Sequence, residues 1–225
     1  MIYLNSDSIG ILLQGKISDW TGDIIREYKE NFPYAKILLS TWNGEYTDDI
    51  ECQVIKTNPP PLPEPHKSTV NFQIVGTRLG LDNLDTDIIM KCRTDQFIHN
   101  KKIFEIYKNS CSSEKIMVPE LGTPKNMKYR TSDFCQVSHK KILLDFWNRI
   151  VLYDGANYEE AATYLTKNYV LNVKNDHQPW EITLRKYFCI KSFHEDFQIE
   201  WKKLNEFDDY KIIYENGFLN RSIID

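Results

Sequence analysis

The chain has 225 residues, with 28 Lys and Arg against 32 Asp and Glu and 41% hydrophobic residues, a size that suits one α/β domain with its own core. The slight acidity excludes a protein that wraps a nucleic-acid backbone, so any phosphate recognition must be local. Five scattered cysteines (Cys52, Cys92, Cys111, Cys135 and Cys189) include no Cys-x-x-Cys pair, which argues against a disulfide framework or a thiolate zinc site and predicts reduced thiols.

Met1 to Gly10 carries no basic region, and the apolar run Ile9 to Leu13 is too short for a signal peptide or a membrane span. The expectation is a cytoplasmic protein, peripheral at most to the inner face of a membrane. Ile9 to Leu13 reads as a buried strand opening into Gln14-Gly15. A helix follows, with Asp19 as its cap, Ile24, Ile25 and Tyr28 at helical spacing, and Asn31-Phe32-Pro33 as its stop. Lys36 to Trp42 is a second strand, completing a βαβ unit, and Glu51 to Thr57 is a third. Asn58 to His66 holds five of the nine prolines and forms a stiff surface loop. A helix is predicted over Asn71 to Leu84, with Gly76 and Gly80 permitting close packing, and Asp87 to Asp95 is an apolar strand that turns charged at its end. Beyond it, helices are predicted at Lys101–Asn109, Ser138–Leu152, Glu159–Lys167 and Pro179–Phe188. Strands are predicted at Lys115–Pro119, Gln198–Lys202 and Lys211–Tyr214. The fold class is therefore α/β: a single Rossmann-type domain with a mostly parallel sheet between helices.

Ligands of open α/β sheets bind beyond the carboxyl ends of the strands, which predicts that Gln14-Gly15, Thr41-Trp42 and Arg93-Thr94-Asp95 converge on one crevice. Gly15 admits close backbone approach, Thr41 offers a hydroxyl, Trp42 a stacking surface and Asp95 a hard oxygen ligand. Asn71, Gln73 and Thr77, near the start of one helix, are expected to hydrogen-bond base, ribose or phosphate. Read alone, Gln14-Gly15 also suits an ordinary turn, and Thr41-Trp42 before Asn43-Gly44 suits the shoulder of a hairpin. Neither G-x-x-x-x-G-K-[ST], G-x-G-x-x-G, G-x-S-x-G nor H-E-x-x-H occurs, so classical kinase, dehydrogenase, serine hydrolase and zinc protease chemistry has no support.

The segments Ile11 to Gly15, Ile37 to Gly44, Val70 to Ile74 with Gly80-Leu81, and Met90 to Asp95 together resemble the WavE lipopolysaccharide-synthesis family. The resemblance implies a GT-A type glycosyltransferase of lipopolysaccharide or capsule synthesis. It implies a nucleotide-sugar donor held by roughly residues 1–100, a glycan or glycolipid acceptor held by roughly 101–225, and Mn2+ or Mg2+ as cofactor. The usual metal-binding Asp-x-Asp is replaced here by Arg93-Thr94-Asp95. Asp95 becomes the expected metal ligand, His177 a second one, and Arg93 a partner of the diphosphate or of Asp95. Direct displacement requires a carboxylate base. Glu181 is the first candidate, because Pro179 opens its helix and Trp180 can pack on a sugar; Asp133 is the second. Both acids also suit the ordinary preference for negative charge at helix starts. Two other classes stay open: a non-catalytic glycan or nucleotide-sugar binding module, and a sugar-1-phosphate nucleotidyltransferase, which would lack its usual Gly-rich, Lys-bearing loop.

Overall fold

A computed structural model describes residues 8–124 and 126–201; the strand expected at Lys211–Tyr214 lies outside them. The apolar runs become the centre of a seven-stranded sheet. Its order is β3 (Gln53–Thr57), β2 (Lys36–Trp42), β1 (Ile9–Gln14), β4 (Ile88–Arg93), β7 (Gln136–His139), β6 (Ile116–Pro119) and β8 (Phe188–Lys191). Six strands run one way and β7 runs against them. A small second sheet pairs β5 (Gln96–Ile98) with β9 (Ile199–Trp201).

Helices cover both faces, which is why the central strands read as unbroken apolar runs. On one face Ile11, Leu13, Met90 and Cys92 pack with Ile24 and Tyr28 of α1 (Thr21–Asn31) and with Phe104 and Tyr107 of α3 (Ile103–Ser110). On the other, Leu12, Leu38 and Ile89 pack with Ile74 and Leu81 of α2 (Val70–Asn83) and Phe146 and Trp147 of α4 (Lys140–Arg149). Leu165 of α5 (Ala161–Lys167) and Trp180 of α6 (Trp180–Tyr187) extend that second layer. Among the described residues no helix is long and apolar enough to cross a membrane.

Several expectations are corrected. The first helix starts at Thr21 after Trp20, which supplies no side-chain cap, so Asp19 does not hold the cap position. Asn43-Gly44 makes no hairpin, because β2 and β3 are parallel. The helix expected from Ser138 begins at Lys140, and the residues before it form β7. Cys111 and Cys189 are disulfide-bonded, with Cα atoms 6.0 Å apart across 78 residues of sequence. Placing β8 beside β6 brings Cys189 to the end of α3, a proximity that sequence spacing does not carry. Cys92 and Cys135 remain thiols in the core, and burial pushes Cys92 up to about 12.

Helix α2 lies unusually close to the sheet. A Cβ built on Gly80 would lie 2.2 Å from Leu12 Cδ1, and one on Gly76 would lie 2.9 Å from Gln14 Cγ and Nε2. Ser40 Oγ donates to the Gly76 carbonyl at 2.7 Å, fixing the helix along its length. Gly80→Ala should therefore lower stability by about 1–3 kcal/mol, since Leu12 is fully buried and cannot swing aside. Gly22→Ala, with nothing within 4 Å of the new methyl group, should be neutral or slightly stabilising. Thermal denaturation of the two variants checks this, and a neutral Gly80→Ala would contradict the close approach.

Candidate functional site

The loops that leave β1, β2 and β4 meet in a cleft of about 460 Å³. Its lining comprises Gln14, Gly15, Lys16, Ile17 and Ser18 after β1, Trp42 at the end of β2, Thr69, Phe72 and Gln73 at the start of α2, and Arg93, Thr94 and Asp95 after β4. These loops are stitched to one another. Thr94 Oγ1 donates to the Lys16 carbonyl at 2.5 Å, while Ser18 Oγ and Thr21 Oγ1 donate to the Thr94 carbonyl at 2.9 and 3.0 Å. Gly15 has φ 142°, and a Cβ there would press on Thr94 Oγ1 at 3.1 Å, so the turn needs glycine. Trp42 and Phe72 form an edge-to-face aromatic wall with centroids 5.3 Å apart. The first turn of the 14-residue helix α2 borders the same space, adding the positive end of its dipole.

Two charged arrangements flank this wall. Arg93 clamps both carboxylate oxygens of Asp95, from Nε at 2.7 Å and Nη2 at 2.9 Å, and its guanidinium lies 5.6 Å from the ring of Trp201. Trp201 in turn stacks on Phe134 at 5.0 Å, which brings β9 back over the site. On the other side Gln73 Nε2 donates to Asp133 Oδ2 at 2.7 Å. Lys91 Nζ donates to the Asp133 main-chain carbonyl at 2.6 Å and lies 4.9 Å from the Trp147 ring. Lys91 is fully buried, and that burial pulls its ammonium down to about 8 against the opposing pull of the Asp133 carboxylate.

Of the residues expected on the donor, Gln14, Gly15, Trp42, Gln73, Arg93 and Asp95 line the cleft. Thr41, Asn71 and Thr77 do not; they are buried. Strand alternation turns Thr41 away from the face that Trp42 presents, and Thr77 lies one helical turn beyond Gln73, beneath the sheet-facing side. Asn71 faces another loop altogether: its Nδ2 donates to the Tyr153 carbonyl at 2.9 Å and its Oδ1 accepts from the Tyr153 N–H at 2.8 Å.

Glu181 and His177 are exposed and outside the cleft lining, His177 with its Nε2 3.2 Å from Asn175 Oδ1. Trp180, expected to pack on a sugar, is only 3% exposed and sits against Tyr129 at 5.1 Å. Asp133 is not on the cleft lining either, but it is the one of the two acids bonded to a cleft residue, Gln73. The expected divalent site also fits poorly. Asp95 is the single acid among the lining residues and is already clamped by Arg93, with Lys16 nearby as a second cation on the lining. Among the described residues no three His, Cys, Asp or Glu side chains group closely enough to hold a metal, whereas hard divalent cations seek several oxygen ligands. Sequence reasoning missed Lys16, Ser18, Thr69, Phe72 and Lys91. Only Lys91 carried a signal, as a charge inside the apolar run Ile88 to Cys92.

An open, mostly parallel sheet with a cleft at the carboxyl ends of β1 and β4 defines a Rossmann-like α/β protein. The chain belongs to the WavE lipopolysaccharide synthesis family, which matches residues 13–209. Its fold is similar to that of 4-diphosphocytidyl-2C-methyl-D-erythritol synthase from Anaerococcus prevotii, with TM-score 0.51 and 10% identity over 96% of this chain and 97% of that one. A putative glucose-1-phosphate thymidylyltransferase from Bacillus anthracis gives TM-score 0.51 and 9% identity over 97% of both chains. A glycosyltransferase that acts in glycosylation of the major capsid of PBCV-1 gives 0.42 at 10% identity over 82% of both chains, too distant to carry an argument. No curated protein sequence matches the chain significantly.

The buried ammonium makes a pH-dependent contribution with a definite sign. Lys91 titrates near 8 in the fold against about 10.5 when unfolded, so between those values the unfolded chain binds more protons and stability rises with pH. The stability of the wild type relative to Lys91→Met should climb by on the order of 2–3 kcal/mol from pH 8 to 10.5. Denaturant unfolding at several pH values measures it, and a difference flat across this range would contradict the assignment.

Proposed function

We propose that the protein is a glycosyltransferase that moves a sugar from a nucleotide-sugar to a glycan or glycolipid acceptor in lipopolysaccharide or capsule synthesis. One observation carries the reading: in a WavE family chain, an aromatic wall, two cations and a helix N-terminus line a single cleft at the carboxyl end of the sheet. Each part suits one part of such a donor. Trp42 and Phe72 offer a face to the base. Lys16, Arg93 and the first turn of α2 offer positive potential to the diphosphate. Asp95 holds the Arg93 fork in place rather than serving a metal.

The transfer is a displacement at the anomeric carbon. The acceptor oxygen forms the new bond as the bond from that carbon to the diphosphate oxygen breaks; the hydroxyl proton passes to a carboxylate, and nucleoside diphosphate leaves with the electron pair. Asp133 serves as the base, oriented by Gln73 through its side chain and by Lys91 through its main chain. Charge developing on the leaving diphosphate is met by Lys16 and Arg93. The loop after β1, Gln14 to Ser18, lacks the Gly-rich phosphate cradle of a nucleotidyltransferase, which supports sugar transfer over nucleotidyl transfer.

Thermal denaturation against a panel of nucleotide-sugars tests the donor site, because a ligand at 100 times its Kd adds about 2.7 kcal/mol of stability. At least one donor should raise Tm equally with manganese and with EDTA, and Arg93→Ala should weaken the effect tenfold or more. A shift that requires manganese refutes the metal-free diphosphate site, and no shift with any donor refutes the function. Asp133→Asn should lower the transfer rate by about 10²–10⁴, measured as nucleoside diphosphate released with acceptor present; Glu181→Gln should leave it within a few fold.

A further inference from the structure

We propose that a second groove beside the cleft is the acceptor site and takes a saccharide chain; this rests on the glycosyltransferase reading above. The groove has a volume of about 400 Å³ and meets the donor cleft at Thr69, which lines both. That volume is within the range of roughly 300–1,000 Å³ usual for ligand sites. One wall is the proline segment with Leu62 and Lys67, and the other is Tyr158 to Ala161.

The two walls are held together by contacts of the chain itself. Gly155 has φ 80°, and a Cβ there would lie 2.7 Å from the Glu64 carbonyl oxygen, so only glycine lets the chains touch. The His66 N–H donates to the Gly155 carbonyl at 3.2 Å. Asn71 ties the same loop to the first turn of α2 through both main-chain groups of Tyr153. The groove is therefore preformed and registered against the helix end that borders the donor cleft, and preorganisation lowers the cost of binding.

The lining chemistry selects a sugar. Tyr158 is 74% exposed, with its ring edge-on to His66 at 6.3 Å, and Leu62 is 44% exposed. A flat aromatic ring beside a small apolar side chain suits the C–H face of a pyranose. Glu159 and Glu160 line the groove with one cation partner each, Lys167 and Arg130, and a carboxylate with about four lone-pair sites retains capacity for sugar hydroxyls. The cation of the groove, Lys67, lies 3.5 Å from Glu64, so the surface has no excess positive charge with which to attract an anionic lipid. A saccharide seated on Tyr158 runs past Thr69, so its end enters the donor cleft one helical turn from Gln73, the residue that holds Asp133.

The test uses core oligosaccharide released from lipopolysaccharide as the probe, followed by saturation-transfer NMR on the whole chain. Wild type and Tyr158→Phe should bind it; Tyr158→Ala should bind at least tenfold more weakly. Tyr34→Ala, which removes a ring that is 96% exposed just before β2, should bind as wild type, and UDP should not displace the oligosaccharide. No binding by the wild type, equal binding by Tyr158→Ala, or displacement by UDP would each overturn the proposal. The donor reading fails by a different result, the absence of any Tm shift with nucleotide-sugars, so the two are separable.

Discussion

The approach of α2 to the sheet is the constraint on which the site depends. Glycines at positions 76 and 80 remove the side chains that would otherwise hold the helix off Gln14 and Leu12. Once seated, the helix delivers three things with its first turn. Thr69, Phe72 and Gln73 face the cleft, Asn71 grips the loop at Tyr153, and Gln73 reaches Asp133. A helix displaced by the width of a methyl group would loosen all three together. Packing density in the core and geometry at the surface are here the same variable.

The charge arrangement departs from that of a metal-centred diphosphate site in a coherent way. Arg93 supplies a planar fork that occupies Asp95, the acid of the lining, and the aromatic ring of Trp201 from the last described strand lies near that fork. The lining then carries more positive than negative groups, whereas a site built around a cation requires the reverse. Lys91 makes a comparable contribution from below. Its ammonium is buried in the sheet and spends a hydrogen bond on the main chain of Asp133, so the electrostatic cost of burying it is tied to one acid's position.

The central strands were legible because a strand covered on both faces has to be apolar throughout and turns polar only where it leaves the sheet; Ile9 to Gln14, Lys36 to Trp42 and Ile88 to Arg93 all do so. Strands β5, β7 and β8 were not: β7 and β8 abut helices α4 and α6 with no residue between, and β5 follows β4 after only Thr94 and Asp95. Strand β7 is also polar although buried: the Gln136 side-chain oxygen accepts from Trp147 Nε1 and Ser138 donates to the Lys115 carbonyl. The same limit applies at the site. Asn71 and Gln73 look alike in sequence, two amides at a helix start, and only the helix phase set by packing sends one to Tyr153 and the other to Asp133. Trp180 and Glu181 likewise looked accessible together, yet α6 packs the first inward and leaves the second in solvent. The disulfide depended on which strand neighbours β6, information that no local pattern holds.

The reversed direction of β7 has a further consequence. Strand β6 ends at Pro119 and β7 begins at Gln136 on the same edge of the sheet at which β1 and β4 finish. Residues 120–124 and 126–135 therefore belong to a lobe whose two roots are neighbours at the edge of the sheet that carries the cleft, with Asp133 near its exit. Such a lobe can lengthen or shorten without changing the register of any strand, because the distance between its roots stays constant.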